Sequence, residues 1–173
     1  MHDSIQKATE ILQRTPLVLN AMLRDLPRDW LDAREGPGTW SPLEILAHLV
    51  HADKANWLPR AKHVLEGPSS EPFEGFDREG GFHEYASRSP GALLDLFQST
   101  RHAALQELHG LEIDEQQLLV TGLHPQLGEV TLSQLISTWV AHDLSHVAQV
   151  CRVMARQYDG HVGPWKAFLR ILN

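Results

Sequence analysis

Apolar side chains recur along most of this chain at three- and four-residue steps, the period of helices that bury one face. The pattern is clearest after Thr131, where Leu132, Leu135, Ile136, Trp139, Val147, Val150 and Val153 form one stripe and predict a helix to about Gln157. Thr131-Leu132-Ser133-Gln134 starts it as a capping box, a hydroxyl cap answered by a glutamine three residues on. Ser41-Pro42-Leu43-Glu44 repeats that device with a proline at the first helical position, and the helix it opens carries Ile45, His48, Leu49 and Ala52 on one face. A further helix starts at Ser89-Pro90, buries Leu93, Leu94, Leu96, Phe97, Ala104, Leu105 and Leu108, and stops at Gly110. The first segment, Ser4 to Leu26, is helical by period but contains Pro16. Losing a ladder hydrogen bond there predicts a kink or restart, with Thr15 capping the second piece and Pro27 ending it.

The connections are equally readable. Glu35-Gly36-Pro37-Gly38 is a turn that leads into Trp40. Gly67 to Gly81 is a polar, glycine-rich connection of about fifteen residues, a length typical of lids, with Phe73, Phe76 and Phe82 placed to pin it. Leu118-Leu119-Val120 and a turn at Gly122 to Gly128 predict a short strand or hairpin, and Pro164 to Leu172 a short terminal helix docked on the bundle. The 173 residues suffice for a single all-α domain spanning 1-173. Hydrophobic residues at 42% and charged residues at 21% are the balance of a globular protein. A net charge of -7 argues against nucleic acid or an anionic membrane as partner, since both demand clustered Lys and Arg. No apolar run approaches the ~20 residues of a membrane span. Met1-His2-Asp3-Ser4 has neither a basic nor an apolar leader, and Cys151 has no partner for an internal disulfide, so a cytoplasmic location is expected.

Histidines supply the candidate chemistry. His142 follows Trp139 by three residues and His146 precedes Val150 by four, so both imidazoles point where the apolar side chains point. His48 shares the inner face of its helix, with His51 at the edge of that face as a competitor. Asp53 lies about 140° round from His48 and falls outside any shared shell. Burying an unpartnered imidazole costs about 1–3 kcal/mol, so hydrogen bonds or a metal ion must meet these rings. Three inward histidines from two helices match the three-ligand pattern of catalytic metal sites. The other reading is three core histidines satisfied by backbone carbonyls or by each other. His142-Asp143-Leu144-Ser145-His146 also has zincin spacing, with aspartate where that motif has glutamate, but no third ligand follows at a metalloprotease spacing. Asp143 either flanks the site, exposed or bonded to a neighbouring helix, or orients a ligand imidazole. Trp40, Trp57, Trp139 and Trp165 read as core and cap residues, since no basic groove accompanies them.

Thr39-Trp40-Ser41-Pro42-Leu43-Glu44-Ile45-Leu46-Ala47-His48-Leu49, then Gly128-Glu129-Val130-Thr131-Leu132 and His142 to Val150, resemble the DinB-like (YfiT-like) superfamily of metal-dependent proteins first noted as damage-inducible. The resemblance covers Ile5 to Arg156. It implies an up-down-down-up four-helix bundle in which His48, His142 and His146 hold a divalent transition metal, with zinc or nickel foremost. It also implies homodimers, a small-molecule substrate and, in some members, transfer of a low-molecular-weight thiol to a small electrophile. No catalytic side chain is assigned. The nucleophile would be a water or thiolate at the open coordination position. The alternative function is a non-catalytic metal-binding protein of the stress response.

Overall fold

The computed structural model describes residues 3–67 and 71–173. Met1 and His2 lie outside the described residues, as do Pro68, Ser69 and Ser70 of the glycine-rich connection. The first rod is α1 (Asp3–Leu12) followed by α2 (Thr15–Leu23). The break falls before Pro16, which sits in the first turn of α2 where its missing N–H has no acceptor to lose. Thr15 is not the cap. Arg14 occupies that position and makes no capping bond, while Thr15 is buried and hydrogen bonds to Asp143. The rod ends at Leu23, short of the expected Leu26, and Asp25 turns the chain with a φ of 62°. A single turn, α3 (Arg28–Leu31), follows in a stretch that reads as loop.

The second rod begins with α4 (Pro42–Ala52). Its capping box is complete: the Glu44 N–H donates to Ser41 Oγ at 3.3 Å and the Ser41 N–H to Glu44 Oε2 at 2.7 Å. It continues through a π-helical turn, Asp53–Trp57, into α5 (Leu58–Leu65). Pro59 explains the wider turn, because its ring and missing donor disfavour a regular α turn just before it. The π turn brings Asp53, Asn56 and Trp57 inside. The short α6 (Gly80–Glu84) lies on α4, so closely that a Cβ on Gly81 would stand 2.4 Å from the Ala47 carbonyl oxygen.

The third and fourth rods are α7 (Pro90–Gly110) and α8 (Leu132–Arg156). Between them β1 (Thr121–His124) and β2 (Gly128–Thr131) pair antiparallel with Thr121 opposite Thr131, and the hairpin feeds the capping box of α8. Leu118 and Leu119 belong to a 3₁₀ turn ahead of β1, so the strand starts later than the sequence predicts. The α1 and α2 rod and the α4 rod each pack on α7 and α8, giving an all-α four-helix bundle with a minor hairpin. Two apolar clusters fill it, one around Leu12, Ala104 and Trp139, the other around Leu19, Leu46 and Phe97. The expected terminal helix is two 3₁₀ turns, Gly163–Phe168 and Arg170–Leu172, separated at Leu169, whose φ of -103° and ψ of 89° lie outside the helical region. Only Leu172 docks there. Trp165 and Phe168 are 70% and 80% exposed, so Trp165 is not a core residue. No helix among the described residues is long and apolar enough to cross a membrane.

Candidate metal centre

The two capping boxes fix where α4 and α8 begin, and so set the depth at which their histidines meet. His48 Nε2 stands 2.9 Å from His142 Nε2, which stands 3.2 Å from His146 Nε2. The outer nitrogens decide which atoms carry protons. His48 Nδ1–H donates to the Arg78 carbonyl at 2.8 Å, and His146 Nδ1–H to Gln149 Oε1 at 2.9 Å. His142 Nδ1 is buried without a hydrogen-bond partner and faces Asp143 Oδ1 at 3.9 Å, an electrostatic contact that favours a proton on that nitrogen. All three Nε2 atoms then present bare lone pairs to one another. Burial holds His48 at a pKa of about 3 and His146 at about 4, so protons do not readily fill the gap. A cation does. Nitrogens at about 2.0–2.1 Å from one ion stand about 2.9–3.4 Å apart, the separations seen here. These three residues are the group in the described structure whose ligand atoms could hold a metal ion.

Beneath the triad lies a buried charge cluster that sequence reading missed. Arg101, from α7, donates through Nε and Nη2 to Asp53 at 2.8 and 2.9 Å, and through Nη1 and Nη2 to Asp143 at 2.5 and 3.1 Å. Its Nη1 also reaches the Leu12 carbonyl at 2.8 Å. The guanidinium carbon lies 5.0 Å from the Phe97 ring and 5.3 Å from the Trp139 ring, so it joins the two apolar clusters. Burial raises Asp53 to about 6 against the pull of Arg101. Burial also opposes ionisation of Asp143, but there the Arg101 charge prevails and holds the carboxyl below its ordinary range. One cation between two carboxylates leaves the cluster net negative when both ionise, which favours a cation just above it. Asp143 therefore takes the neighbouring-helix role rather than an exposed one, and Asp53 stays off the triad as its position predicts. The available signal was Arg101 itself, four residues after Phe97 and four before Leu105 on an apolar face.

Aromatic rings wall the triad. Trp40 lies 4.9 Å from the His48 ring and stacks over His146 at 6.0 Å, Trp57 meets His142 edge-on at 5.0 Å, and Phe76 lies 5.8 Å from His48. His51 is set apart, stacked on Phe76 and 3.4 Å from Glu84. Residues 76–79 of the glycine-rich connection thus cover the site. With Trp40 they line a cleft of about 440 Å³.

The family profile described as the DinB superfamily matches residues 11–150. The chain belongs to the DinB superfamily. Comparison with curated proteins finds no match. Among solved structures, this DinB chain is similar to YfiT from Bacillus subtilis, described as a probable metal-dependent hydrolase with an unusual four-helix bundle topology. The TM-score is 0.76 at 20% identity, covering 91% of this chain and 90% of that one, a likeness that establishes the fold.

Proposed function

We propose that this DinB-superfamily chain is a metal-dependent enzyme in which His48, His142 and His146 hold one divalent ion, zinc or nickel foremost. The observation that carries it is the convergence of three lone-pair-bearing Nε2 atoms at 2.9 and 3.2 Å above a net negative buried cluster. Bound there, a divalent ion would act as a Lewis acid that lowers the pKa of a thiol or water beside it. The Arg78 backbone carbonyl and the Gln149 side chain fix two of the ring orientations, and Trp57 packs edge-on against His142. The cleft against Trp40 admits a small molecule.

Transfer of a low-molecular-weight thiol to a small electrophile is the leading reaction. It is supported by the two buried carboxylates nearest the triad, both tied to Arg101 and so not free to act as a base toward water. Hydrolysis is the second reading, favoured by the description of YfiT. A homodimer belongs to this proposal through the family resemblance, and a cytoplasmic location through the single cysteine, Cys151, which fits a reducing compartment.

Elemental analysis of the protein beside His48→Ala tests the reading. About one metal per chain, lost in the variant, and a shift in the absorption of the cobalt-substituted protein on adding thiol would support the enzyme. Metal retained without any response to thiol or turnover would leave a non-catalytic metal-binding protein. Folded protein that refuses zinc and nickel would overturn the site.

A further inference from the structure

Arg78 faces two ways. Its carbonyl accepts the His48 Nδ1–H at 2.8 Å, while its guanidinium carbon stands 5.5 Å from the Trp40 ring centroid, in the lining of the cleft. Arg24, Arg28, Arg34, Arg101, Arg152 and Arg156 all pair with carboxylates in this acidic chain. The Arg78 guanidinium has no ion pair or hydrogen bond among the described residues. Neighbouring acids do not take it. Asp77 turns back to accept the Glu79 N–H at 3.0 Å. The Arg78 charge is nonetheless felt by His48 and His146.

We propose that Arg78 is the anion-recognising residue of this site, and that the ligand is a small monocarboxylate whose reactive end faces His48, His142 and His146. This rests on the metal reading above and narrows its substrate class. A guanidinium keeps its charge at any working pH and presents paired N–H groups that suit a carboxylate. The Trp40 face steadies it without using those donors. The cleft reaches the triad through its own walls, Trp40 packed on His48 and His146 and Phe76 on His48. An anion held by the guanidinium would therefore also lie on the side of an ion held by the triad, and the two positive charges favour it together. Asp77 and Glu79, exposed in the same lining, select against ligands of higher negative charge. The cleft of about 440 Å³ suits a small organic acid.

The test uses cobalt-loaded protein and two thiols of matched length, 3-mercaptopropionate and 2-mercaptoethanol, followed through the thiolate-to-cobalt absorption. The carboxylate thiol is expected to bind about tenfold more tightly, the size of one charge-assisted pair. Arg78→Gln should abolish that preference while leaving cobalt stoichiometry and 2-mercaptoethanol affinity unchanged, and Arg78→Lys should restore part of it. Equal affinities in the parent, a preference that survives in Arg78→Gln, or no binding of 3-mercaptopropionate would each overturn the assignment. A chain that takes up no cobalt would overturn the metal reading and this inference with it, a result distinct from a loaded protein blind to charge.

Discussion

Two neutral imidazoles buried side by side make the centre sensitive to acid. Folding lowers His48 to about 3 and His146 to about 4 from an ordinary 6.5. Between 6.5 and those values the unfolded chain binds more protons than the folded one, so stability falls as pH falls. Asp53 works in the opposite direction. Raised from 3.8 to about 6, it is protonated first in the folded chain and gains stability on acidification between those values. Two groups outweigh one, and the urea midpoint of metal-free protein is expected to drop between pH 7 and pH 5. A midpoint that is flat or rises on acidification would contradict the buried neutral pair. The convergence of His48, His142 and His146 was legible because each falls on an apolar stripe, where a polar ring demands a partner. Arg101 was not, because a charged residue inside an apolar run is ordinarily taken for a solvated one, and its two carboxylates lie 48 and 42 positions away.

Capping boxes were legible as whole elements, since their chemistry is complete within four residues at Ser41 and again at Thr131. The π turn was hidden. It depends on Pro59 downstream and on the packing that turns Asp53 and Trp57 inward together. The closeness of α6 to α4 was hidden for the same reason, as nothing local says that Gly81 meets Ala47. That contact carries a prediction, because α6 follows directly on the loop whose Arg78 carbonyl orients His48. Gly81→Ala should lift the loop, cost about 1–3 kcal/mol of stability and weaken metal binding. Chemical denaturation with a competition titration against a chelator checks both effects. A variant with unchanged metal affinity would show that the loop is dispensable to the centre.

Across the whole molecule, the triad joins the second rod to the fourth over 94 positions of chain. A ligand that binds only the folded state adds stability by mass action, about 4 kcal/mol at a thousandfold excess over its Kd. For a domain of this size that corresponds to a melting temperature roughly 10 °C higher. Zinc is expected to produce such a rise, a chelator to reverse it, and His48→Ala to show neither. Absence of any zinc response in the parent would count against a site that bridges the rods. The four-helix plan was legible from periodicity because each rod buries a long stripe. The terminal turns were not, because Trp165 and Phe168 have the composition of a docking helix and yet face solvent.

The aromatic walls have a consequence in optics. Of five tryptophans, Trp40 and Trp57 stand 4.9 and 5.0 Å from the His48 and His142 imidazoles, while Trp165 lies exposed on the tail. An ion with a partly filled d shell, such as nickel, cobalt or copper, dims an excited indole at such range, and zinc with its filled shell does not. The ultraviolet emission of the unlabelled protein therefore separates open-shell from closed-shell occupants, with Trp165 as a steady background.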